Sequence, residues 1–129
     1  MERLQKMVLD FHRAFGHSVA PRPTTAITFE DLKLRAGLIE EEWDELHLAM
    51  MRDDLPGIAD GLADLLYVVL GTALTYGIDL EPVFCEVHQT NMAKQTGDGP
   101  AIGKVQKPEG WQPPRIKEIL DMLSERSIG

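Results

Sequence analysis

Glu41, Glu42 and Glu45 lie in one helical run, and Asp60 and Asp64 lie in the next, separated only by a short turn. Both runs otherwise carry Leu, Ile, Val and Trp at helical spacing, so the acids share their helices with faces that must find a core. On a wheel of about 100° per residue, Leu32, Ile39, Trp43, Leu46 and Met50 form one stripe. Leu38 and Ala49 widen it on one side, and Glu42 falls between them and its centre. Glu45 lies slightly further round, between Leu34 and Leu38, and Glu41 sits at the edge. Glu40, Asp44 and His47 turn towards solvent. In the second run Leu62, Leu65, Leu66, Val69 and Ala73 cover most of the circumference, and Asp60, Asp64, Gly71 and Thr75 form one narrow polar line.

A short turn makes the two helices antiparallel neighbours. With the turn centred near Asp54 and Leu55, Glu45 is level with Asp64. Glu42 lies about one turn, ~5 Å, to one side of that level, and Asp60 about one turn to the other. Glu42, Glu45 and Asp64 are therefore expected to converge, with Asp60 flanking them and Glu41 at the rim. Buried carboxylates without partners are costly. No Lys or Arg lies between Arg35 and Arg52, and the second run has none. Divalent cations are the simplest remaining partner, and Mg²⁺ prefers carboxylate oxygen.

Helical spacing dominates the rest of the chain, and strand-like alternation is scarce. A first helix is expected from Arg3 to about Phe15, with Leu4, Met7, Val8, Phe11 and Phe15 on its apolar face and Gly16 ending it. Pro21 and Pro23 mark a loop. Thr28, with Asp31 three positions on, approximates a capping box for the helix that runs to about Arg52. Asp53 and Asp54 form the turn, Pro56 suits the first turn of the third helix, and Gly77 follows its end at Tyr76. Asp79 caps a fourth helix reaching about Gln95. Residues 96–113, with Asp98-Gly99, read as a flexible loop, and 114–126 as a short C-terminal helix. The expectation is one all-α domain spanning residues 1–129, its first four helices forming a bundle.

Charge narrows the partners. A formal net charge of −8 without a basic stripe argues against a nucleic-acid polymer. The single cysteine, Cys85, excludes an intrachain disulfide and suits a reducing cytosol. Met1 is followed by Glu2 and Arg3 with no apolar run, and Leu65 to Leu70 is too short an apolar stretch to span a bilayer. The location expected is cytoplasmic, with no membrane partner.

The ordered set of acids resembles the all-α nucleoside triphosphate pyrophosphohydrolase superfamily, which includes MazG, phosphoribosyl-ATP pyrophosphohydrolase and the dimeric dUTPases. The match is Glu42-x-x-Glu45 within IEEEWDEL and Asp64 within DGLADLLYVVLGTAL. FHRAFG and RPT near the start, HQTNMAK and GKVQKPEGW near the end look like the MazG-like phosphoribosyl-ATP pyrophosphohydrolase branch with its dUTPase-like members. The sequence departs from the pattern at Gly61, where the family's third helix carries the Glu of ExxD. Asp60 is at i−4 from Asp64 rather than i−3, on the same face, and is the candidate replacement. The resemblance implies hydrolysis of a nucleoside triphosphate between its α- and β-phosphates, giving monophosphate and pyrophosphate.

The resemblance also implies Mg²⁺, with Mn²⁺ substituting, held by Glu42, Glu45, Asp64 and Asp60. Glu41 would contact a metal or act as general base, and Asn91, Lys94, Lys104 and Lys107 would hold substrate. Such ions would let an acidic protein attract a polyanion. The third helix is apolar around most of its circumference, and with the resemblance this predicts a homodimer, or a dimer of dimers, through Leu62, Leu66, Val69 or Leu70. Competing readings are a catalytically inactive dimerisation or regulatory module, which Gly61 keeps open, and a di-iron carboxylate oxidase. The oxidase normally needs two Glu-x-x-His pairs; this chain has none, and Asp44-x-x-His47 faces outward. His12 and His88 read as ordinary hydrogen-bonded histidines, Cys85-x-x-His88 lacks further zinc ligands, and Tyr67 reads as packing. Trp111 fits base stacking or loop packing equally.

Overall fold

The computed structural model describes residues 1–96 and 105–129. Among the described residues five helices run in order: α1 Arg3–Phe15, α2 Phe29–Met51, α3 Leu55–Thr75, α4 Leu80–Met92 and α5 Ile116–Leu123. Between α4 and α5, β1 (Gln95–Thr96) pairs antiparallel with β2 (Val105–Gln106). Of the expected 96–113 loop, residues 97–104 fall outside the described ones, and Trp111 N–H closes a turn on the Pro108 carbonyl at 3.0 Å. The fourth helix stops at Met92, so Lys94 lies beyond it rather than on it. The last helix is shorter than expected at both ends.

The ends of α2 and α3 have local causes. Thr28 Oγ1 accepts from Asp31 N–H at 3.0 Å, satisfying one of the four free donors of α2. Thr28→Ala is expected to cost about 1 kcal/mol, measurable as a lower urea midpoint with an unchanged slope. Asp54 Oδ1 likewise accepts from Gly57 N–H at 3.1 Å to start α3. Between them Asp53 takes a left-handed conformation, φ 52°, which Asp tolerates better than most residues. These two caps fix the antiparallel hairpin of α2 and α3, the most extensive helix–helix packing among the described residues.

α1 packs on α3, and Val8, Leu9, Leu70 and Leu74 form the core cluster beside Met1, Val19, Leu80 and Ile128. The buried face of α1 differs from the expected one. Gln5, Val8, Leu9 and His12 point inward, whereas Leu4, Met7, Phe11 and Phe15 stay exposed. Hydrogen bonding explains the rotation. Gln5 Nε2 donates to the Ile78 carbonyl at 2.8 Å and Gln5 Oε1 accepts from Leu80 N–H at 3.0 Å. One fully buried amide thus serves the α3–α4 connection, which apolar residues could not do. α4 buries none of its residues and packs with α5. Over its full length α3 is long and apolar enough to cross a membrane by length and composition, although its uninterrupted apolar run is not. Asp60 and Asp64 lie on it, and it packs along α2 and α1.

Candidate metal centre

α2 presents Glu42 and Glu45 one turn apart, and α3 presents Asp64 across the hairpin. One carboxylate oxygen from each lies within 4.8 Å of the others. Glu42 and Asp64 are half-buried and Glu45 is exposed. Glu42 Oε2 is buried with no hydrogen-bond partner. Burial raises the Glu42 pKa above the usual carboxylate value, and the charges of Glu45, Asp64 and Glu41 push it the same way. A carboxylate with one orphaned buried oxygen, set beside two further carboxylates, fits a divalent cation: the oxygens are hard donors, and a cation would relieve both the desolvation and the repulsion.

Glu41 and Asp60 are exposed and lie outside this trio. Asp60 sits with Glu45, Ala49, Arg52, Asp54 and Gly57 on an open cleft of about 220 Å³. Gly61, where the resemblance calls for an acid, is buried against α2. A Cβ there would stand 3.1 Å from both Cα and Cβ of Leu46, tighter than ordinary van der Waals contact. The helices lie close enough at that level that a side chain would need Leu46 to give by a few tenths of an ångström. Asn91 is exposed at the end of α4, Lys94 is half-buried just past it, Lys107 is exposed after β2, and Lys104 lies outside the described residues.

Arg35 plays a part that the sequence reading missed. It is 4% exposed, and its Nε and Nη2 reach Thr72 Oγ1 and the Val68 carbonyl at 3.4 Å. Gly71 makes the room: a Cβ there would meet Arg35 Nη2 at 2.6 Å and His12 Nε2 at 2.7 Å. The signal was on the wheel, since Arg35 is about three turns before Leu46 and shares its buried side. His12 is the hydrogen-bonded histidine expected, its Nδ1 3.1 Å from the Ser18 carbonyl. Burial lowers its pKa; the Ser18 carbonyl opposes this, and the Arg35 and His17 charges add to the lowering. Phe11 meets His17 and Tyr67 edge-on, both at 5.5 Å between ring centroids. His47 stacks on Trp43 at the surface. Cys85 is free and exposed. Trp111 Nε1 donates to the Thr90 carbonyl at 2.7 Å, which ties the C-terminal segment to α4.

The family described as phosphoribosyl-ATP pyrophosphohydrolase matches residues 8–91, from α1 to the end of α4 and including all three acids. The uncharacterized protein L479 of Acanthamoeba polyphaga mimivirus is 39% identical over 75 residues, covering 56% of this chain and 30% of that protein. This chain thus corresponds to under a third of that relative's length.

Proposed function

This chain belongs to the phosphoribosyl-ATP pyrophosphohydrolase family, whose chemistry is hydrolysis of a phosphoric anhydride, and from that premise we propose that it is a divalent-cation-dependent nucleoside triphosphate pyrophosphohydrolase. Water would add to the α-phosphorus, the bond to the α–β bridging oxygen would break, and nucleoside monophosphate and pyrophosphate would leave. The observation that carries this reading is the convergence of Glu42, Glu45 and Asp64 within 4.8 Å. These three would hold Mg²⁺, or Mn²⁺ in its place, with Asp60 flanking. When bound, the cation supplies charge neutralisation of phosphate and a lowered pKa for water. Glu41, exposed and next to Glu42 in the chain, would accept the proton of the attacking water. Asn91, Lys94 and Lys107 would hold phosphate or sugar.

A screen of nucleoside triphosphates with chromatographic product analysis tests the reading. Pyrophosphate and a monophosphate, formed only with Mg²⁺ or Mn²⁺, are expected. Orthophosphate with a diphosphate as sole products would refute it. No turnover of any triphosphate by the folded protein would favour a regulatory module, the reading that Gly61 keeps open.

The working unit we propose is a homodimer, or a dimer of dimers, in the cytoplasm, where an exposed free cysteine is stable. On α3, Leu62 is 55% and Leu66 45% exposed. The expected interface loses Leu70, which this chain's own core buries. Light scattering at micromolar concentration should give at least twice the chain mass, and Leu66→Glu should return it to one. A wild-type monomer would contradict the assembly.

A further inference from the structure

The base of the β1–β2 hairpin brings together two lysines that ordinary packing would keep apart. The register pairs Gln95 with Gln106 and Thr96 with Val105, which places Lys94 and Lys107 opposite each other as the next pair outward. Like charges directly opposite across strands are destabilising. Neither lysine is ion-paired among the described residues, in a chain with 21 acidic residues. Both ammonium groups instead rest on one indole. Lys94 Nζ is 5.3 Å and Lys107 Nζ 5.0 Å from the Trp111 ring centroid, within the range of attraction to an aromatic face.

The indole is itself held. Its Nε1 donates to the Thr90 carbonyl in the last turn of α4, and its backbone closes the turn on Pro108, with Gly110 at φ 78°. Trp111 therefore holds both ammonium groups within reach of one anchored ring. Two such point charges with several donors each suit a polyanion whose oxygens reach both. We propose that Trp111 is a positioning residue and that it holds Lys94 and Lys107 as a two-lysine clamp for the pyrophosphate end of the nucleotide. This rests on the pyrophosphohydrolase reading for its substrate, but the clamp can be tested apart from it.

The probe is inorganic pyrophosphate titrated in EDTA, where the carboxylates hold no cation, with Trp111 fluorescence followed in a Trp43→Phe background and calorimetry for variants without Trp111. Saturable binding is expected, weakened by added salt. Lys107→Gln, at an exposed position, should raise the dissociation constant by roughly fivefold, and Trp111→Leu by at least as much, while Trp111→Phe, which keeps the aromatic face, should stay near wild type. In turnover assays with Mg²⁺, Trp111→Leu should raise KM by a similar factor with kcat within about twofold, the pattern of lost uniform binding. Glu45→Gln should lose turnover and keep pyrophosphate binding. Absence of pyrophosphate binding by wild type, or unchanged binding and KM in Lys107→Gln, overturns the clamp and leaves the hydrolase reading standing. Equal loss in Trp111→Phe and Trp111→Leu makes the indole N–H a structural staple and overturns the positioning role. Pyrophosphate binding without hydrolysis of any triphosphate upholds the clamp and removes the hydrolase reading.

Discussion

Glu45→Gln should lower the rate of pyrophosphate release by about a hundredfold or more, since even groups that only support metal ligands are worth roughly 10–100-fold. The same substitution should raise the melting temperature in EDTA. It removes a charge that opposes ionisation of Glu42, whose Oε2 is already buried and unpaired. Mg²⁺ at about a hundred times its dissociation constant stabilises a protein that binds it only when folded by roughly 2.7 kcal/mol, and the mutant should gain much less. A mutant that melts below wild type in EDTA and gains equally from Mg²⁺ would make Glu45 a structural residue and remove the proposed centre.

The pH dependence has two arms of opposite sign. The folded-state pKa of Glu42 is raised, so the folded protein holds a proton more tightly there than the unfolded chain. The resulting penalty is present near pH 7 and is relieved as pH falls through the raised value. His12 has a lowered folded-state pKa. Its contribution is intact above the unfolded value of about 6.5 and is lost as pH falls through that value towards the folded one. A melting curve of the metal-free wild type therefore mixes a gain and a loss. Glu42→Gln separates them: in EDTA it should melt above wild type at pH 7, with the gap closing on acidification. A gap independent of pH would exclude titration of Glu42 as its source.

Gly61→Glu, which restores the acid of the family pattern, is expected to destabilise by about 1–3 kcal/mol through overpacking alone. The fall in Tm should be of the order of 10 °C. The new Cβ would press on the backbone of Leu46, which cannot swing aside as a side-chain tip can. The carboxylate would then be carried into the α2–α3 seam, adding its desolvation. Gly61→Ala should show a smaller loss. Thermal melts and Mn²⁺ titration decide the matter: a Gly61→Glu protein as stable as wild type, with tighter Mn²⁺ binding, would mean that the helices part readily there.

The caps, the hairpin and the meeting of Glu42, Glu45 and Asp64 could be read from residue spacing because each depends on local periodicity and a turn of known length. The rotation of α1 could not. Counting apolar side chains favoured Leu4, Met7, Phe11 and Phe15, yet hydrogen bonds to Ile78 and Leu80, more than 70 residues away, decided for Gln5. The Arg35–Gly71–His12 contact is hidden for the same reason, since three different helices supply it. The end of α4 was misplaced because the pairing of Gln95 with Gln106 competes with one more helical turn, and that pairing is not a local property.

The segment from His17 to Ile27 has no regular structure, yet it is stitched along its length. Ala20 N–H donates to the Leu74 carbonyl and Thr24 N–H to the Tyr76 carbonyl, both at 3.0 Å. Thr75 Oγ1 reaches the Ser18 carbonyl, and from the other side Ile128 N–H donates to the Pro21 carbonyl while Arg22 Nε donates to the Ser124 carbonyl. The Leu74 and Tyr76 carbonyls at the C-terminal end of α3 are thereby satisfied by chain rather than by water. This stretch will not exchange its amide hydrogens as a surface loop does. Ala20 and Thr24 should exchange as slowly as the end of α3 itself, and solvent should reach them only when that helix end opens.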